Sequence, residues 1–171
     1  MVFQFLLGYW RIGEGFFLRQ LLTKLRRLSL LGFFAKYPKA KVYLDGDKFL
    51  ADKRIDLVSV ATPSLFHVDY DIRALEAGKY VFAEKPVAVT PAGLKKLQAA
   101  AKKFPGKLFC RQNRRFEPAF NHVREIMDSG ILGDVYEIKL CRHSFGFRND
   151  WQTLQKNGGG QLNNWGPHLI D

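Results

Sequence analysis

Two stretches of the chain hold residue types that could do chemistry together. In "EKP", Glu84-Lys85-Pro86, a lysine stands between a carboxylate and a rigid imide, and a lysine so held can polarise a substrate oxygen. The second stretch, "GGGQLNNWGPHLID" (158–171), combines three glycines, a run of amides, a tryptophan and one histidine, the composition of an active-site floor. Taken alone, each has a plainer meaning: a surface Glu–Lys turn, and a histidine satisfied beside a turn. Where the elements set them decides between the two.

"DLVSVATP" (56–63) is a short apolar, β-branched run ended by Pro63, and "YVFAEKP" (80–86) is another; both predict buried strands. Between them Ser64 can cap a helix with Leu65, Val68, Ile72 and Leu75 at helical spacing, stopped by Gly78. The unit is βαβ, with parallel strands. In an open parallel sheet, ligands bind beyond the carboxyl ends of the strands. The residues at those ends are Thr62-Pro63 and Glu84-Lys85-Pro86, with His67 able to face the same edge from the first turn of the helix. This placement favours a ligand site over a surface turn.

Thr90 and Pro91 fit the cap and first position of a further helix that carries Leu94, Leu97, Ala101 and Phe104 inward. "KLFCRQ" (107–112) predicts a third strand, followed by a helix with Phe120, Val123 and Met127 on one face, closed by Gly130. In "VYEIKLC" (135–141), Tyr136, Ile138 and Leu140 alternate with polar neighbours, the pattern of a half-covered strand with an exposed edge. The fold class is therefore α/β: a Rossmann-like parallel sheet over residues 1–110, then the beginning of an α+β substrate domain over residues 111–171.

Composition narrows the setting. The 171 residues suffice for one core, or one domain and part of another. Cys110 and Cys141 match neither a disulfide framework nor a metal-ligand spacing, so both are expected as packing residues in a reducing, cytoplasmic setting. No membrane span or signal peptide is expected. The net charge of +11 is uneven, because residues 1–54 hold 11 Lys/Arg against 4 Asp/Glu. Leu18, Leu21, Leu22, Leu25 and Leu28 form one helical stripe with Arg19, Arg26 and Arg27 turned away. Such a helix can bind lipid or nucleic acid, but a core-packed helix with a solvated basic face is commoner, so neither partner is expected.

The ordered set "ATP" before His67, "ALEAGKYVFAEKPVAVT" (74–90), "RRFEPAF" (114–120), "SGILGDV" (129–135) and the terminal motif resembles the glucose-fructose oxidoreductase, inositol dehydrogenase and rhizopine-catabolism family (Gfo/Idh/MocA) from about Ala35 to Asp171. The resemblance implies an oxidoreductase that passes hydride between NAD or NADP and a sugar or polyol. It implies that Lys85 contacts the reacting oxygen and that Pro86 follows a cis bond. Thr62, Pro63, His67 and Glu84 would line the cofactor beside Lys85 and Pro86, and His168 would be the acid/base. Asn164 stands where the family usually has an aspartate. A histidine suits the proton transfer because its unperturbed pKa is about 6.5. The family also implies a homo-oligomer formed through the second domain's sheet.

The front end departs from that pattern. The family's glycine turn falls on "GYWRIG" (8–13), where Gly8 and Gly13 remain but Trp10 fills the middle glycine position and should obstruct the pyrophosphate. "GEGFFL" (13–18) is the alternative register. No acid follows about 20 residues on to bind the ribose hydroxyls. Residues 1–34 therefore read as degenerate and the second domain as truncated. Two functions stay open: an oxidoreductase, or a noncatalytic family member kept as a binding or interaction module.

Overall fold

The computed structural model describes residues 4–6, 35, 41, 43, 45–143 and 145–171. Gly8, Gly13, Trp10 and the leucine stripe of residues 18–28 lie outside the described residues. A parallel Rossmann-like sheet with its helices comes first, followed by further helical and irregular structure. Its four strands are β1 (Gln4–Leu6), β2 (Leu57–Val60), β3 (Tyr80–Ala83) and β4 (Leu108–Cys110), in spatial order β1-β2-β3-β4 and all parallel. The register sets Val58 beside Val81 and Val60 beside Ala83. These four side chains are buried, because alternate residues of a strand share one face and that face carries the core.

A short helix, α1 (Gly46–Ala51), precedes β2 and is capped by the Asp45 carboxylate, which accepts from the Asp47 amide at 2.8 Å. It contributes Phe49 and Leu50 to the core. The crossover from β2 to β3 runs through α2 (His67–Glu76), which ends at Gly78 with φ +78°, a conformation that glycine adopts without cost. The apolar face of α2 is the predicted one at Val68 and Leu75, which are buried, and at Ile72, which packs against the core. His67, Val68, Asp71, Ala74 and Leu75 point inward, while Leu65 is exposed. Ser64 makes no capping bond; it opens a single 3₁₀ turn, Ser64–Phe66, and the helix proper starts at His67.

The next helix, α3 (Pro91–Lys103), is built as its sequence predicts at the start, with the Thr90 hydroxyl accepting from the Gly93 amide at 3.0 Å and Pro91 in the first turn. Leu97 and Ala100 are buried, Phe104 packs against the core, and Leu94 faces solvent. After β4 come α4 (Pro118–Asp128) and a long irregular stretch. No residue of α4 is buried, and Val123 and Met127 are exposed. Residues 135–141 form no strand. Tyr136, Ile138 and Leu140 are all open to solvent, since alternation supplies a face but a ladder needs a partner. Cys110 and Cys141 are free and exposed, not packed as expected.

A final helix, α5 (Gln161–Ile170), carries the histidine motif and was not foreseen. It is pinned from the turn after β4: Gln112 Nε2 donates to the Pro167 carbonyl at 3.2 Å, and Arg115 Nε donates to the Asp171 carboxylate at 2.7 Å. Its approach depends on two glycines. Gly158 has φ +72° and sits where a Cβ would lie 2.8 Å from Val89 Cγ1. At Gly159 a Cβ would lie 2.5 Å from the Gln152 carbonyl oxygen and 2.9 Å from that of Leu154, backbone atoms that cannot rotate away.

Gly159→Ala is therefore expected to loosen α5, speeding amide exchange across residues 161–170 by about tenfold or more, whereas Gly146→Ala, with open space around it, leaves exchange unchanged. Equal exchange in the two variants would mean that the glycine seat does not hold the helix.

Asp71 yields a second prediction. Its side chain is fully buried and neither carboxylate oxygen has a hydrogen-bond partner among the described residues, so burial pushes its pKa up from 3.8 to about 8. A raised folded-state pKa means that the folded chain holds its proton longer than the unfolded chain. Stability is then greatest below pH 3.8 as far as this group is concerned, and falls as pH rises through about 8. The slope is roughly 1.4 kcal/mol per pH unit inside that window. Chemical denaturation between pH 5 and 9 should show this decline in the native sequence and a flatter profile in Asp71→Asn.

Candidate active site

The site begins where β2 and β3 end. Because Val60 pairs with Ala83, the turns that follow leave the sheet side by side, and Thr62 and Lys85 lie at the same carboxyl edge. A single imidazole joins the two turns. His67 is buried, with Nε2 2.8 Å from the Thr62 carbonyl oxygen and Nδ1 2.8 Å from that of Pro86. Both ring nitrogens face main-chain oxygens, and whichever carries the proton in a given tautomer donates to its carbonyl, so His67 sits wedged between the turns instead of presenting a nitrogen to a ligand. The Thr62 hydroxyl is buried and turned to the Pro63 carbonyl at 3.3 Å. The Lys85–Pro86 peptide bond is cis.

Lys85 is half-buried, and its ammonium donates to the main-chain carbonyl of Asn164 at 2.6 Å. Burial lowers its pKa, Glu84 opposes that shift, and the nearby Arg114 and Arg148 guanidiniums add to it. Glu84 is engaged by Arg111, which also donates its amide to the Ala83 carbonyl at 2.9 Å. Asn164 takes part differently from what its side chain suggested. Its amide Nδ2 donates to the Gln152 carbonyl at 3.0 Å, and its backbone oxygen is what meets Lys85.

His168 follows one helical turn after Asn164. Its ring lies 5.6 Å from that of Trp165, and its Nδ1 is buried with no hydrogen-bond partner among the described residues. Burial lowers its pKa, and Lys85, Arg114 and Arg142 lower it further against the opposing carboxylate of Glu117. The imidazole is consequently held neutral to a lower pH than a free histidine. A cleft of about 440 Å³ opens beside these groups, lined by Lys85, Pro86, Val89, Leu94, Gln112 and Pro167.

The structure thus brings Thr62, Pro63, His67, Glu84, Lys85, Pro86, Asn164 and His168 to one edge of the sheet or to the helix docked against it. Gly8 and Gly13 fall outside the described residues. Among the described residues no group of three or more His, Cys, Asp or Glu side chains could hold a metal, and no helix is long and apolar enough to cross a membrane. Sequence reasoning missed Gln112 and Arg115, which anchor α5, and Arg142, which stacks on Trp165. The "RRF" motif flagged the neighbourhood of Arg115 but not its partner, Asp171, which lies 56 residues away.

Comparison with known proteins agrees with this geometry. The chain is 36% identical over 139 residues to an uncharacterised oxidoreductase of Schizosaccharomyces pombe, covering 80% of this chain and 38% of that protein. It is 32% identical over 139 residues to the D-glucoside 3-dehydrogenase of Escherichia coli, covering 80% of this chain and 40% of the relative. A solved NAD-binding protein from Listeria innocua superposes with a TM-score of 0.70 at 31% identity, over 87% of this chain and 43% of its own. The chain therefore spans less than half the length of these relatives. The family model for oxidoreductases with an NAD-binding Rossmann fold (GFO_IDH_MocA) matches residues 22–111. On the strength of that match and the strand-edge geometry, the chain belongs to the Gfo/Idh/MocA family of NAD(P)-binding oxidoreductases.

Proposed function

We propose that this site interconverts a hydroxyl and a carbonyl of a sugar or polyol, with Lys85 polarising the reacting oxygen and His168 moving its proton. The observation that carries this reading is the hydrogen bond from the Lys85 ammonium to the Asn164 carbonyl, one helical turn before His168. It fixes the cation against the helix that bears the base. The D-glucoside 3-dehydrogenase among the relatives supports a sugar as substrate.

The carboxyl edge of the sheet, with an orphaned imidazole nitrogen beside a half-buried ammonium, fits the reacting end of a dinucleotide and its substrate. Thr62, Pro63, Glu84, Lys85 and Pro86 would hold the nicotinamide end, and Gly8 and Gly13 the pyrophosphate. NAD or NADP, when bound, supplies the acceptor or donor of hydride. Lys85 keeps one N–H on Asn164 and has two more to give, one of which meets the substrate oxygen and stabilises charge as it develops there. His168, neutral, accepts the hydroxyl proton in oxidation and returns it in reduction. His67 maintains the spacing of the two turns. Residues 1–110 form the nucleotide-binding domain in this reading, and residues 111–171 begin the substrate domain.

One sequence feature favours a second reading, a noncatalytic binding module: Trp10 at the middle glycine position. Calorimetric titration separates the two. Micromolar binding of NAD(H) or NADP(H) supports the enzyme, and no detectable heat with either supports the module.

For an active enzyme, Lys85→Ala is expected to lower kcat/KM by on the order of 10²-fold or more, with little change in melting temperature because the ammonium contributes no core packing. An unchanged rate would exclude the role. The pH profile gives an independent check. The base must be neutral, so kcat/KM should fall as pH drops through a value below the usual 6.5 of histidine. That acidic limb should disappear in the residual activity of His168→Asn.

A further inference from the structure

The residues around Trp165 carry more positive charge than hydride transfer on a neutral polyol requires. The Arg142 guanidinium lies 3.0 Å from the centroid of the indole ring, and that of Arg114 lies 5.1 Å from the same centroid. Two guanidiniums on one indole repel each other, and with Lys85 they crowd His168 with three cations. The only carboxylate acting on His168 among the described residues is that of Glu117, and it is already bonded to Arg114 at 2.8 Å. Arg148 and Arg111, nearby, are paired to Asp150 and Glu84. Arg142 has no carboxylate partner among the described residues. Arg114 adds a second anomaly, because its Nε is buried with no hydrogen-bond acceptor among the described residues. A buried guanidinium donor left unmade is costly, and a ligand oxyanion at this guanidinium would offset that cost.

Contact with the indole anchors the Arg142 guanidinium, whose N–H donors have no partner among the described residues, an arrangement that suits a planar or tetrahedral oxyanion. We infer that the sugar or polyol taken by this site carries an oxyanion, a carboxylate or a phosphate, held by the Arg142 and Arg114 guanidiniums that flank Trp165. The inference rests on the reading above in taking Lys85 and His168 as the reacting end. The oxyanion would supply the missing counter-charge and orient the substrate from a point remote from its reacting carbon.

Binding to the full chain, measured by calorimetry, tests this with three probes that share one skeleton: D-glucose, D-glucuronate and D-glucose 6-phosphate. At least one anionic probe should bind about tenfold or more tighter than glucose, and which one does so distinguishes carboxylate from phosphate. In Arg142→Gln the preference should shrink to within about twofold. Equal binding of all three probes, binding of none, or a preference that survives Arg142→Gln would overturn the inference. Hydride transfer is followed separately by nicotinamide absorbance. An anion preference without turnover of any probe would count against the dehydrogenase reading and leave the oxyanion site standing.

Discussion

Everything at this site depends on one buried imidazole. His67 spans the carbonyls of Thr62 and Pro86, and so converts two separate strand-end turns into one rigid rim. Parallel strands bring their carboxyl ends close, but the chain beyond the last ladder bond is free to diverge. A buried ring wedged between the two carbonyls, donating to one of them, removes that freedom. Lys85, between the end of β3 and the bond to Pro86, inherits its position from this tie and meets the Asn164 carbonyl of α5 from there. Losing the imidazole would leave a buried carbonyl without its donor and would loosen the lysine with it.

The electrostatics follow from that rim. Burial and neighbouring arginines both act to keep Lys85 and His168 less charged than they would be in water. For the histidine this preserves a basic nitrogen, and for the lysine it makes the ammonium a better proton donor to an oxygen. In the proposed reaction the two effects would act in opposite senses, one group accepting a proton and the other donating a hydrogen bond. Asn164 links them through its backbone alone, so the aspartate usual at this position in the family is not needed for the contact with Lys85.

Much of this was legible before the fold was seen, and the parts that were not share a physical cause. The strands from "DLVSVATP" and "YVFAEKP", the cap at Thr90 and Pro91, and the stop at Gly78 are local signals, and each held. So did the placing of Lys85 at the carboxyl edge of the sheet beside Thr62, because parallel topology fixes it. Three features depend on distant partners. Helix α5 contains Gly166 and Pro167, poor helix formers, and forms where Gln112 and Arg115 receive it. Asp71 is polar at a core position, which no apolar pattern would reveal. The tie made by His67 joins backbone atoms, and backbone carbonyls leave no mark in a sequence. The alternating residues 135–141 erred in the other direction, since a pattern of strand type formed no ladder.

That last stretch sets how the chain behaves in bulk. Ile131, Leu132, Tyr136, Ile138, Leu140, Phe145 and Phe147 all stand open to water on a molecule whose net charge is +11. Attraction between such surfaces acts at contact, while like-charge repulsion reaches across a screening length of about 10 Å at 0.1 M salt and about 3 Å at 1 M. Colloidal stability is therefore a contest between a short-range force that salt leaves intact and a longer-range one that salt removes. The chain stays dispersed at low ionic strength by its lysines and arginines, and concentrated salt hands the balance to the exposed apolar row.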